Sequence, residues 1–401
     1  MYDVIVVGAR CAGSTTAMLL ARKGYRVLVV DKATFPSDTI STHYIHQPGV
    51  SLLNRWGLLD RVIASNCPPI ERTRVDFGPA YFTANNLPSD GINTSYAPRR
   101  TVFDQILVDA CAEAGAEVRQ GFVVEDIITD SGRVAGIRGH TQGGSTITET
   151  APLVIGADGM RSLIADAVQA TTYHETPPLT CNYYSYFSGV PLDGAELYIR
   201  ERRFFVSSMT NDGLTGIIVI FPNAEFHEFR ADIEGHFFKA LDLAPDFAER
   251  VRQGKREEPW KGMANVANFF RKPYGPGWAL VGDAGYFKDP ITAQGITDAF
   301  HSAELLTEAV DDGFCGRMPM EDALAAYERR RNESVMPLYQ LTCQFASMEP
   351  PSPQMQQLFA ALAHNPTEAD RFIGTISGVV PIPEFYAPTN LQRIVGQAMS
   401  A

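Results

Sequence analysis

Nowhere in these 401 residues do cysteines stand close enough together to form a motif. The six are Cys11, Cys67, Cys111, Cys181, Cys315 and Cys343; without a Cys-x-x-Cys or paired spacing, a disulfide framework and a cysteine-based metal site are both disfavoured. Basic charge is also short. Lys and Arg number 34 against 46 Asp and Glu, a net charge of -12, which argues against nucleic-acid binding and against an anionic membrane surface. No apolar stretch reaches membrane-spanning length, no leader with basic and apolar regions precedes the first strand, and there is no internal repeat or low-complexity segment. The expectation is a cytoplasmic protein without stable membrane insertion. His43 and His46 stand three apart on one possible helix face, yet no carboxylate or third ligand lies near them in sequence, so no metal is expected. A nucleophile with a base at persuasive spacing is also missing.

What is present is ordinary in bulk, with 45% hydrophobic and 20% charged residues, enough chain for two domains and little room for long disorder. The distinctive stretch is Met1 to Asp31. Asp3 to Val7 is a nearly continuous apolar run of the buried parallel-strand kind, broken by Gly8-Ala9-Arg10-Cys11-Ala12-Gly13 before helical spacing begins at Ala17, Leu20 and Ala21. Tyr25 to Val30 reads as a second strand closed by Asp31. This pattern predicts a dinucleotide site: Gly8 permits the sharp turn, Gly13 lets helix and strand approach, the helix N-terminus offers amides to a pyrophosphate, and Asp31 takes adenosine ribose hydroxyls. Arg10 stands where the fingerprint has glycine, which requires a backbone outside positive φ. An acidic ribose partner favours FAD or NAD over NADP.

Further along, the polar loop Ser37 to His43 serves equally as lining for the ring end of a cofactor or as plain surface. Ile70 to Asn93 alternates like a pair of strands from a second sheet, and Arg99-Arg100 at the entrance of the 102–110 helix look placed for an anion, Arg100 above all. A buried strand ends in Gly156-Ala157-Asp158-Gly159, and another ends in Gly282-Asp283 ahead of a helix opening at Gly295. Between them Tyr183, Tyr184, Tyr186, Phe187, Tyr198, Phe204 and Phe205 suit either a sheet core or an apolar substrate cavity. Together with Gly216 to Phe221 and Asn265 to Arg271 they read as one antiparallel sheet. Helices follow at 323–330 and 355–362, and the sequence does not choose between covering the substrate side and forming a subunit interface.

The ordered trio Gly8 to Asp31, Asp158-Gly159 and Asp283 with Pro290 and Gly295 resembles the FAD-dependent class A monooxygenases of the para-hydroxybenzoate hydroxylase fold, with their geranylgeranyl reductase and flavin halogenase relatives. The resemblance spans about residues 1 to 310. It implies an α/β chain: a discontinuous Rossmann-like FAD-binding domain (1–75, 98–175, 270–330), an interleaved antiparallel-sheet substrate domain (76–97, 176–269) and a C-terminal helical region (331–401). The contacts it implies for FAD are Gly8, Arg10, Cys11, Ala12, Gly13, Asp31 and Lys32 at the first turn, with Thr42, Arg100, Val124, Asp158 and Gly159. It adds Asp283 at the ribityl chain, and Pro290, Gly295 and Ile296 beside the isoalloxazine. It further implies transient NAD(P)H as electron donor and hydroxylation of an apolar or aromatic small molecule with dioxygen, in a cavity sealed from solvent. The alternatives are a reductase or dehydrogenase acting on an isoprenoid-like or polyketide-like double bond, and a non-enzymatic flavin-binding scaffold. The tryptophan halogenase Trp-x-Trp-x-Ile-Pro sequence is absent, with Trp260 alone before Lys261. His43, His46 and Tyr184 are the candidate polar gate or base residues, and an oligomer is left open.

Overall fold

The computed structural model describes residues 1–141 and 143–399. Its central six-stranded sheet runs in the order Tyr274–Gly275, Trp278–Leu280, Leu153–Gly156, Val4–Val7, Val27–Asp31, Glu117–Gln120. Its pairs are parallel apart from the Tyr274–Gly275 edge. Val4–Val7, Val27–Asp31 and Leu153–Gly156 are buried along their whole length, which is why they read as unbroken apolar runs. Successive side chains go to opposite faces. Val4, Val6, Val27 and Val29 meet the helices Cys11–Arg22, Arg100–Glu113 and Gly295–Phe314, whereas Ile5, Val7, Leu28 and Val30 meet Phe122, Val134 and Ile137 of a three-stranded antiparallel sheet.

A second, eight-stranded sheet contains both Arg72–Asp76 with Tyr81–Asn85 and the long strands Thr180–Ser188, Ala195–Arg200, Arg203–Met209 and Thr215–Pro222. The first pair joins through Arg72–Asp76, which lies parallel to Ala195–Arg200. One face of this sheet buries Tyr183, Phe187, Tyr198, Phe205 and Phe221 against the helices between Phe226 and Gln253. The end of the sheet carrying Val75, Phe82 and Ala84 packs against the C-terminal helices Pro353–Leu362, Pro366–Ser377, Ile382–Phe385 and Pro388–Met399.

Two expectations are corrected and a third is extended. Asn268–Arg271 does not join the large sheet; it pairs with Thr172–Thr176 and Tyr286–Phe287 in a small sheet of its own, because alternation marks a strand without naming its partner. The helix marked at 323–330 runs from Met320 to Ala346, straight through Pro337, where buried Val335, Leu338, Tyr339 and Leu341 hold it despite the missing backbone donor. His43 and His46 share no helix face, since His43 lies in a loop at φ +63° and His46 is the residue preceding the Gln47–Arg55 helix. The boundaries drawn at 75/76 and 330/331 fall inside the Arg72–Asp76 strand and the Met320–Ala346 helix. Among the described residues no helix is long and apolar enough to cross a membrane.

Candidate cofactor and substrate cavities

The turn after the first strand is shaped by two glycines. Gly8 sits at φ +104°, and a Cβ there would lie 2.4 Å from the carbonyl oxygen of Ala157; a Cβ on Gly13 would lie 1.8 Å from the carbonyl oxygen of Gly8. Neither position tolerates a side chain, because the obstruction is backbone. Arg10 adopts φ -91°, an allowed conformation, and as the residue preceding the Cys11–Arg22 helix it contributes no side-chain cap. The first turn carries no acid either, so its amides stay open to an anion. The Arg10 guanidinium pairs with Asp104 and donates to Ser37 Oγ at 2.9 Å. Arg100 donates to the same fully buried carboxylate at 2.8 and 3.1 Å. Two cations thus share one carboxylate, leaving a positive surplus beside the turn. Cys11 lies against Asp104 with its thiol pushed up to about 12 by burial, which makes it a filler and not a nucleophile.

Asp31 is fixed by accepting from the backbone N–H of Ala9 at 2.7 Å and of Ala33 at 2.8 Å. From here a cavity of about 990 Å³ extends along the C-terminal edge of the central sheet. Gly8, Arg10, Cys11, Ala12, Asp31 and Lys32 line its first end. Thr42, Arg100, Val124, Asp158 and Gly159 line its middle, and Asp283, Pro290, Gly295 and Ile296 its far end. Gly13 alone of the expected contacts is off the wall; its part is the close approach to Gly8. Asp158 Oδ1 is buried without a partner, and burial raises its carboxyl above the usual range. Asp283 is pushed up to about 6, by burial first and by neighbouring Asp298, against the pull of Arg100 and Lys288. At the far end Asp289 accepts from the Ile291 N–H at 3.1 Å and fixes the Pro290–Thr292 turn. The Gly295–Phe314 helix then opens without a side-chain cap. A glycine cradle, an uncapped helix end with surplus cation, an anchored carboxylate and a second open helix end in one channel fit an extended dinucleotide.

A second cavity of about 930 Å³ lies between the open face of the large sheet and the C-terminal helices. Val75, Leu197 and Val206 form its sheet wall, and Phe345, Phe359 and Ile373 its helical wall. Thr42, Ile218, Ile220, Pro290 and Ala293 belong to both cavities, so the two meet at the Pro290–Ala293 turn. The C-terminal helices therefore cover this chamber. The aromatic segment divides as strand alternation requires: Tyr183, Phe187, Tyr198 and Phe205 face the outer helices, Tyr184 lines the dinucleotide channel and Phe204 the chamber. The two roles left open for this segment, sheet core and cavity wall, are thus divided between the two faces of its strands.

The candidate polar residues are separated. His43 is buried on neither cavity wall, with Nε2 at 2.6 Å from the Tyr186 hydroxyl, Nδ1 unpartnered, and burial together with Arg100 pushing it down to about 3. His46 lines the chamber, its Nε2 at 3.1 Å from the Thr292 carbonyl, and burial pushes it down to about 4. Both rings are therefore neutral at physiological pH. Tyr184 directs a buried, unpartnered hydroxyl from the channel wall. Sequence reasoning missed Asp104 and Gln47. Asp104 is a helical residue four after Arg100, a spacing that signals an ion pair; Gln47, beside a helix-opening proline, gave no local signal of burial.

A family model described as FAD binding domain matches residues 1–342. Digeranylgeranylglycerophospholipid reductase of Methanosarcina acetivorans is 27% identical over 358 residues, covering 83% of this chain and 81% of that protein. Tryptophan 2-halogenase of Chondromyces crocatus is 27% identical over 343 residues, covering 81% of this chain and 64% of that protein. The solved structure of the flavin-dependent brominase Bmp2 superposes with a TM-score of 0.81 at 18% identity, covering 100% of this chain and 99% of that one, a likeness of fold.

Proposed function

The chain belongs to the FAD-binding-domain family, as an FAD-dependent oxidoreductase related to halogenases and isoprenoid reductases, and from that premise we propose a monooxygenase that hydroxylates an apolar or aromatic small molecule. FAD is the cofactor. Bound in the channel, it would supply the redox chemistry, with two electrons taken from NAD(P)H and passed to dioxygen, one oxygen atom entering the substrate and the other leaving as water. The protein's part is to bind, orient and exclude water. Asp31 keeps lone pairs for the adenosine ribose beyond those used by Ala9 and Ala33, and Arg100, supported by Asp104, offsets the pyrophosphate. Cys11, Ala12, Lys32, Thr42 and Val124 supply the remaining walls, with Asp158 and Gly159 at the edge where NAD(P)H arrives. Asp283 accepts from the ribityl hydroxyls. The open amides at Gly295 and Ile296 favour negative charge at the ring end.

The observation that carries this reading is the shared wall at Thr42, Ile218, Ile220, Pro290 and Ala293, which sets an apolar chamber against the ring end of the channel. Oxygen transfer needs the substrate held beside the ring end and away from bulk water. Reduction of a carbon–carbon double bond would also need a proton delivered to the substrate, and His46 on the chamber wall is not free to deliver it, its Nε2 being committed to the Thr292 carbonyl. The second reading, a reductase of an isoprenoid-like double bond, draws on the 27% identity to the Methanosarcina reductase. The two are separated by reducing the holoenzyme anaerobically with NADH or NADPH beside aromatic, polyketide-like and isoprenoid-like compounds, then admitting air. A product that forms only after air and gains oxygen supports the monooxygenase. A product carrying two added hydrogens before air establishes the reductase.

A further inference from the structure

We propose that Gln47 selects the substrate of the chamber by pairing its carboxamide with a hydrogen-bond donor and acceptor carried on one edge of an otherwise apolar ring, as in a lactam. This inference rests on reading the 930 Å³ cavity as the substrate chamber. Gln47 is 1% exposed and lines that chamber, and its Oε1 is buried with no hydrogen-bond partner among the described residues. It is not held there by the cofactor channel, whose walls do not include it. Neighbouring polar groups are already engaged: His46 Nε2 with the Thr292 carbonyl at 3.1 Å, Thr292 Oγ1 with Thr342 Oγ1 at 2.9 Å, and Asn86 Nδ2 with the Ile70 carbonyl at 2.8 Å. The carboxamide is the wall group whose oxygen stays unsatisfied.

A buried polar group without a partner is costly, and in a site that binds an apolar molecule the occupant can remove that cost. A carboxamide presents a carbonyl acceptor beside N–H donors in one plane, so its complement is a group with donor and acceptor side by side. An unsubstituted hydrocarbon of the same shape leaves Gln47 unpaired and is discriminated against accordingly. The location gives the pairing direction as well as selectivity. His46, the residue before Gln47, touches the Pro290–Ala293 turn where chamber and channel meet, so a ring anchored by Gln47 is held close to that junction.

The test uses the FAD-loaded enzyme titrated with two bicyclic probes of similar shape, 2-quinolone and naphthalene, followed by the perturbation of the flavin absorbance. Wild type should bind 2-quinolone about tenfold to a hundredfold more tightly than naphthalene. Gln47→Leu should erase that preference by weakening the lactam while leaving naphthalene unchanged or tighter. If Gln47→Leu does not retain FAD, Gln47→Met, unbranched like glutamine, replaces it. A preference that survives in the variant, or an equal loss for both probes, overturns the role of Gln47. Val206→Trp, which fills the sheet wall, should block both probes. Equal binding of the two by wild type, abolished by Val206→Trp, leaves the chamber standing and sinks the Gln47 proposal, whereas probe binding that ignores Val206→Trp, or no binding of either probe, sinks the chamber reading and the proposal with it.

Discussion

Arg10 stands in an ion pair with Asp104, a fully buried carboxylate that also holds Arg100 at 2.8 Å. This accounts for an arginine at a position where the dinucleotide fingerprint has glycine. Its backbone needs no positive φ, and its side chain turns to the helix behind the turn and to the Ser37–Asp38 loop. Asp104→Asn would leave two guanidinium groups against one neutral amide. The apoprotein should lose about 3–5 kcal/mol of stability, as expected when one partner of a buried pair is removed. ADP should restore more stability to the variant than to wild type, because its pyrophosphate meets the uncompensated charge. Denaturant unfolding with and without ADP measures both.

Asp283 and the two buried histidines give opposite pH signatures in the apoprotein. Asp283 binds its proton more tightly folded, about 6, than unfolded, about 3.8; its contribution is complete below the unfolded value and is lost as pH rises through 6. Asp283→Asn should therefore stabilise the apoprotein at neutral pH by up to about 3 kcal/mol, and not at all in strong acid, while weakening FAD about tenfold to a hundredfold. His43 and His46 are depressed to about 3 and about 4, so their contribution is complete above about 6.5 and is lost as pH falls. His46→Gln should flatten the acid side of the stability profile. Unfolding midpoints measured from mild acid to neutral pH separate the two effects by sign.

Ala293 holds φ +53° at the junction of the cavities. An L-residue in that left-handed region costs about 1–2 kcal/mol, part of which glycine would give back through its freer unfolded chain. Ala293→Gly should thus stabilise the protein by about 0.5–1 kcal/mol, read as a higher denaturant midpoint at unchanged slope.

Phe205 and Phe345 should fail differently when truncated. Phe205 is fully buried against the outer helices, so Phe205→Ala should cost about 3–5 kcal/mol of stability and leave the coupling of the surviving enzyme intact. Phe345 lines the chamber, so Phe345→Ala should raise peroxide release per NAD(P)H consumed while flavin reduction continues, since water entry and hydride delivery are separate events. Peroxide and product yields in the same reaction distinguish them.

How far the sequence carried follows from what is local. The Val4–Val7 strand, the Gly8 turn and the ends of the strands at Asp158 and Asp283 announce themselves through unbroken burial and turn residues, and the residues around them line one channel. The partner of Asn268–Arg271 was not legible, because a strand's pattern is the same in either sheet. Tyr183 and Tyr184 are adjacent letters on opposite faces of one strand, and only the observed pairing says which face is a helix-packed core and which a channel wall. The reach of the Met320–Ala346 helix through Pro337 was hidden for a similar reason, since distant packing overrides the local breaker.

In the proposed monooxygenase, dioxygen is activated in the channel and spent on a molecule in the adjoining chamber. With a compound that accelerates NAD(P)H oxidation, turnover under isotopically labelled dioxygen in ordinary water should yield a product containing one labelled oxygen atom. A product with no labelled oxygen, formed equally well without dioxygen and carrying two added hydrogens, would rule out the monooxygenase.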